Sequence, residues 1–157
     1  MLRKKVLFVC TGNICRSPTA EGVARRLAAQ QGVEHLFEFD SAATHDYHSG
    51  EPPDPRTIAA ARRRGYDLAR LRARRVTEFD FVHFDYVLAM GHDHLELLRR
   101  LCPPEHWNKL GLFLDFSGRF DEEDVPDPYY GGAKGFDHVL DLVEDAATQL
   151  IRKLSAK

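Results

Sequence analysis

Residues 6–28 leave little freedom in how this chain begins to fold. Val6-Leu7-Phe8-Val9 is an apolar run of strand length, and Ala20, Val23, Ala24, Leu27 and Ala28 recur at helical spacing. Between them lies Cys10-Thr11-Gly12-Asn13-Ile14-Cys15-Arg16-Ser17, and Pro18 suits the first turn of a helix. The order is strand, tight loop, helix. A loop that enters a helix N-terminus presents unpaired backbone N–H groups to an anion. Cys10 and Arg16 have five residues between them and can both face that anion if the loop curls around it.

The residue types suit this purpose. A thiol is a poor nucleophile until ionised, and a helix N-terminus with a guanidinium nearby favours the thiolate. Arg16 offers a planar fork able to hold two phosphoryl oxygens. Gly12 is expected to supply backbone angles that a side chain would forbid. Asn13 tolerates the left-handed conformation that such a nest often needs. Ser17 can either cap the helix or hydrogen-bond the sulfur. A lone cysteine at the end of an apolar strand would be read as a small buried hydrophobe. Gly, Asn, Arg, Ser and Pro in this order reverse that reading, because each meets a separate need of an anion loop. No Gly-Lys-Ser/Thr nucleotide loop and no Gly-x-Gly-x-x-Gly occurs.

The rest of the chain narrows the class. At 157 residues, one domain spanning 1–157 is expected. A formal net charge of −2 gives no bulk attraction for nucleic acid or an anionic membrane surface. The apolar stretch near the amino end is too short for a secretory signal, and no run approaches the ~18 residues of a membrane span. Three cysteines without such a signal fit a reducing compartment, so the cytoplasm is the expected location.

Periodicity predicts strands over about 4–10, 35–42, 85–90 and 110–114. Helices are predicted over about 18–31, 57–64 and 93–101. A last helix shows one apolar face through Phe136, Val139, Leu140, Val143, Ala147, Leu150, Ile151 and Leu154. Alternating strands and helices imply an α/β domain, a four-stranded parallel sheet covered by helices on both faces. In such folds ligands bind beyond the carboxyl ends of the strands, where loop 10–17 falls. Among the acids Asp115, Asp121, Glu122, Glu123, Asp124 and Asp127, five read as a solvated loop. Asp127 stands apart because Pro128 stiffens it and two tyrosines follow. It is either a general acid or the start of an Asp-Pro turn.

Val9-Cys10-Thr-Gly-Asn-Ile-Cys-Arg-Ser-Pro18 resembles the signature of the low molecular weight protein tyrosine phosphatases. The resemblance extends to Asp40-Ser-Ala-Ala-Thr44, Pro53-Asp-Pro55, Phe84–Met90 and Asp127-Pro-Tyr-Tyr-Gly131, nearly the whole chain. It implies a phosphatase that needs no metal or other cofactor and acts on tyrosine-phosphorylated proteins. It assigns Cys10 as nucleophile, Arg16 as the phosphoryl-binding group and Asp127 as general acid and then base. Thr11, Gly12, Asn13, Ile14, Cys15, Ser17 and Ser41 would form and support the phosphate loop. Tyr47, Tyr129 and Tyr130 would wall the crevice, unless they serve only loop packing. Members acting on phosphoarginine carry Thr where this chain has Ile14, and the bulk of Ile suits an aryl group. Cys15 is either a packing residue or a redox partner of Cys10, since the equivalent pair in the family is associated with reversible disulfide protection. Cys102 reads as structural, and a monomer is the expected state.

Two positions depart from the family pattern. Leu71 stands where many relatives place a His that supports the loop Asn, leaving Ser17 and Ser41 as the expected supports of Asn13. Gly91 stands where relatives usually carry an acid. Seven arginines fall within residues 62–75, expected as a solvated face with a docking patch for an acidic partner as the minor option. Neither His92-x-His94 nor Cys102 with His106 makes a convincing four-ligand zinc set. The rival readings are arsenate reductase, which shares this fold and loop but needs further relay cysteines, and a phosphotyrosine-binding module without catalysis.

Overall fold

The computed structural model describes residues 2–128 and 131–156. Four strands, β1 (Lys4–Cys10), β2 (Phe37–Ala43), β3 (Tyr86–Ala89) and β4 (Leu110–Leu112), form one parallel sheet in the order β2-β1-β3-β4. Five α-helices are described: α1 (Arg16–Gln30), α2 (Pro55–Arg63), α3 (Glu78–His83), α4 (His92–Leu101) and α5 (Gly132–Ser155).

β1 sits at the centre because both its faces are apolar. Val6, Phe8 and Cys10 point to one side and pack with α1, α2 and α5, while Leu7 and Val9 point to the other with Phe81, Phe84 and Leu98 from the α3–α4 side. Phe8 is fully buried and meets Phe113 edge-on at 5.0 Å between ring centroids. The chain steps from β1 to β2 on one side and later to β3 on the other. The carboxyl end of β1 is therefore the point where strand order reverses, and a crevice opens there. The domain is the expected α/β architecture.

The boundaries differ where the chain uses local devices. α1 begins at Arg16 rather than Pro18, because the loop itself winds into the first turn. β2 begins at Phe37, after a 3-10 turn over Glu34–Leu36. α3 had no counterpart among the predicted helices. It is nucleated by a capping box in which Thr77 and Asp80 satisfy each other's backbone N–H groups. No helix of the described residues is long and apolar enough to cross a membrane.

Candidate active site

Loop 11–15 hangs between two anchored ends. At the strand end, Cys10 O accepts from Thr44 N at 2.9 Å and Thr11 O from His45 N at 3.1 Å. At the helix end, Ile14 O accepts from Asp54 N at 2.9 Å, which ties the loop to the start of α2. Among the described residues, the backbone N–H groups of Gly12, Asn13, Ile14 and Cys15 donate to no protein acceptor. The loop offers them to an anion together with the N-terminus of α1.

Asn13 is the structural key. It is the one non-glycine among the described residues with positive φ, at 58°, and only 2% of it is exposed. Its amide donates to Ser17 Oγ at 2.7 Å and to Ser41 Oγ at 2.9 Å, while its Oδ1 accepts from the Arg74 backbone N–H at 3.1 Å. The third bond corrects the expectation that two serines support the loop alone. Leu71 packs partly buried against the core, and the segment after it supports Asn13 through its backbone. That segment is held by Ala43 N to Arg74 O at 2.7 Å, and by the Arg74 guanidinium on Asp80 and Asp40 at 3.0–3.1 Å. Behind Ser41, its hydroxyl donates to Glu21 Oε1 at 2.6 Å. Burial raises Glu21 to about 6 even though Arg25 lies 2.7 Å away, because desolvation outweighs the pair.

The structure places Ser17 on the sulfur: its Oγ lies 3.0 Å from Cys10 Sγ, and α1 has no side-chain cap. The same Ser17 oxygen accepts from the Asn13 amide and lies 3.5 Å from Ala42 O, so it ties the sulfur to the loop and to β2. At Gly12 the constraint is the neighbouring His48 side chain instead of backbone angle. The residue does not have positive φ, but a Cβ there would come within 2.9 Å of His48 Cδ2.

Cys10, Thr11, Gly12, Ile14, Cys15, Arg16, Tyr47 and Asp127 all line one cavity of about 310 Å³, and His48 joins them. Asn13, Ser17 and Ser41 stand behind it as the loop's buried supports. Tyr129 and Tyr130 lie outside the described residues. Arg16 reaches across to the opposite wall, donating to Val125 O at 3.3 Å and lying 3.9 Å from Asp127 Oδ2. Val125 is buried and its N–H donates to Met90 O at 2.7 Å, which fixes the stretch two residues before Asp127. Tyr47 is 67% exposed at the rim and stacks on His45 at 4.9 Å. The Cys15 thiol is pushed up to about 11, chiefly by burial, so it stays protonated while Cys10 faces the cavity.

Three contributors escaped the sequence reading. His94 hydrogen-bonds Thr11 Oγ1 at 2.8 Å and is held down to about 4 by burial and by the positive charge of Arg16. His48 presents no pattern of its own in the polar loop 44–55. Asp124 accepts from His92 N at 2.9 Å, capping α4, and from His92 Nδ1 at 2.7 Å. Gly91 permits this, since a Cβ there would stand 3.3 Å from Asp124 Cγ. The N-terminus of α4 is thus capped from a distant segment of the chain.

A sequence model described as low molecular weight phosphotyrosine protein phosphatase matches residues 5–157. The chain belongs to that family. A low molecular weight protein-tyrosine-phosphatase of Streptomyces coelicolor is 45% identical over 150 residues, 94% of this chain and 91% of that protein. Among solved structures, a protein tyrosine phosphatase of Entamoeba histolytica superposes with a TM-score of 0.94 at 41% identity, covering 97% of each chain. Vibrio vulnificus Wzb, solved in complex with benzylphosphonate, superposes with a TM-score of 0.83 at 29% identity, covering 96% of this chain and 98% of its own. Low molecular weight protein tyrosine phosphatases are cysteine-dependent hydrolases, and this chain is one of them.

Proposed function

We propose that the chain hydrolyses phosphotyrosine in protein substrates through a phosphocysteine on Cys10. The observation that supports this reading best is the convergence of Cys10, Arg16 and Asp127 on one cavity of about 310 Å³. In the first step the Cys10 thiolate attacks phosphorus in line. The S–P bond forms as the P–O bond to the phenol breaks, and Asp127 gives its proton to the departing oxygen. Arg16 and the loop N–H groups stabilise the equatorial oxygens. In the second step the Asp127 carboxylate takes a proton from water as that water attacks phosphorus. The S–P bond breaks, and phosphate and thiolate are released. Ile14 and Tyr47 give the cavity apolar walls suited to an aryl group, in keeping with the benzylphosphonate held by the Vibrio vulnificus relative. Cys102, the third cysteine, lies in the core on the opposite face of the sheet, which speaks against a cysteine relay for arsenate reduction.

The test is turnover of p-nitrophenyl phosphate with EDTA present, followed by phosphotyrosine peptides. Wild type should release phosphate, Cys10→Ser should be inactive, and Asp127→Ala should be slowed by roughly 10²–10⁴-fold. Inert wild type with its thiols reduced, or an active Cys10→Ser, would refute the mechanism. Tight peptide binding without phosphate release would instead mark a binding module.

A further inference from the structure

A second groove, of about 510 Å³, opens beside the catalytic cavity and shares Ile14 and His48 with it. One wall is Pro52 and Pro53. The other is the exposed stripe of α2, in which Pro55, Ile58, Ala59 and Arg62 recur at helical spacing, while Thr57, Ala60 and Ala61 face the core. The stripe begins where Asp54 N bonds Ile14 O, so the groove runs directly out of the phosphate loop. Its acids are already committed. Glu51 pairs with His48 at 3.0 Å, and Asp54 caps α2 through Arg56 N at 2.8 Å. Arg62 ends the groove exposed, and among the described residues its guanidinium makes no ion pair or hydrogen bond. The groove is therefore mixed near the cavity, where Pro52 and Ile58 lie beside the paired carboxylates of Glu51 and Asp54, and cationic at its far end, at Arg62.

We propose that this groove binds the polypeptide flanking the phosphotyrosine, with an apolar side chain against Pro52 and Ile58 and an acidic side chain on Arg62. The proposal rests on the phosphotyrosine reading above. Pro55 and Arg62 stand seven positions apart on the helix, a rise of about 10 Å. An extended peptide covers that distance in about three residues. With the peptide backbone leaving the cavity beside Pro55, the acid that Arg62 selects lies about three residues from the phosphotyrosine.

The experiment compares three phosphotyrosine peptides that are otherwise alanine-rich and uncharged: one with Asp three residues before the phosphotyrosine, one with Asp three residues after it, and one with neither. For each, kcat/KM is expressed as a ratio to that for p-nitrophenyl phosphate, which is too small to reach Arg62. One of the two acidic peptides should be preferred by about 2–5-fold, the range for an exposed ion pair. Arg62→Glu should abolish or invert that preference, and about 0.5 M salt should shrink it in the wild type. Arg62→Gln, a milder change, should abolish it without inversion and covers a charge reversal that perturbs α2. Equal ratios for all three peptides, or a preference that survives both substitutions, would overturn the groove assignment alone. If no peptide is hydrolysed while p-nitrophenyl phosphate still is, the phosphotyrosine reading falls and takes this proposal with it.

Discussion

Replacing Asn13 separates two things the loop demands of one residue, a left-handed backbone and a set of buried hydrogen bonds. Asn13→Ala removes the two donations to Ser17 and Ser41, each worth about 1 kcal/mol. It also leaves the Arg74 N–H, now at 3.1 Å from Asn13 Oδ1, without its acceptor, at a cost of about 1–2 kcal/mol. Holding alanine at the φ of 58° adds about 1 kcal/mol. The total is about 4–5 kcal/mol, a large share of the ~5–15 kcal/mol expected for a domain. Asn13→Gly loses the same hydrogen bonds but not the last contribution, so it should be more stable than the alanine variant by about 1 kcal/mol. Urea unfolding, with the m-value checked for constancy, reads both differences. Activity should fall together in the two variants, since both free Ser17 from its partner and loosen the amides that face the anion. A glycine variant as stable as wild type would show that the hydrogen bonds contribute nothing. Equal stability of the two variants would show that the left-handed backbone carries no strain for alanine.

Two buried groups should oppose each other in the pH dependence of stability. Glu21 is raised from 4.5 to about 6, so the folded protein takes up its proton first and stability rises as pH falls through that window. His94 is lowered from 6.5 to about 4, so the unfolded chain takes up its proton first and stability falls as pH drops below 6.5. Urea midpoints between about pH 4 and 7 should therefore drop less on acidification in His94→Asn and more in Glu21→Gln than in wild type. Unchanged profiles would refute both assignments. Gly91→Ala pushes a Cβ to 3.3 Å from Asp124 Cγ and should shift the acid loop. It should slow phenyl phosphate by several-fold more than p-nitrophenyl phosphate, because the poorer leaving group depends more on Asp127. An equal effect on both substrates would rule out an action through the acid. Mild peroxide should give a Cys10–Cys15 disulfide in non-reducing peptide maps, by condensation of a Cys10 sulfenic acid with the Cys15 thiol and loss of water. Absence of that bridge would leave Cys15 as a packing residue.

What could be read in the sequence was local. The apolar run ending at Cys10, the Gly-Asn pair and Arg16 carry local signals, so the strand, loop and helix start were legible without any tertiary information. α5 was legible for a similar reason, because an apolar face repeated from Phe136 to Leu154 admits no other reading. Elements that depend on distant partners were not. α3 has six residues, too few for periodicity, and its signal was the Thr77–Asp80 capping box. His94 lies 83 positions from Thr11, and nothing in the His92–Leu101 sequence distinguishes it from a surface histidine. Gly12 shows the limit in another form. Its identity pointed to the loop correctly, but the cause is the approach of His48 from a segment with no pattern to read.

The two departures from the family pattern share one physical logic. At position 71 a side-chain support is missing, and the Arg74 backbone N–H, anchored through Ala43 and through the Arg74 guanidinium on Asp80 and Asp40, supplies the bond to Asn13. Position 91 is glycine, and Asp124 supplies a carboxylate to the N-terminus of α4. In both cases a bond comes from a residue distant in sequence. The second substitution also has a consequence that the first lacks. A carboxylate at position 91 would hold α4 by itself, whereas Asp124 holds α4 and the acid loop to each other, three residues before Asp127. Asp124→Ala should therefore lower both stability, by about 0.5–1 kcal/mol for the lost cap, and the leaving-group-sensitive part of catalysis. Restoring an acid beside it, as Gly91→Asp with Asp124→Ala, should recover the stability but not the catalysis. Recovery of both would show that Asp124 serves the helix alone.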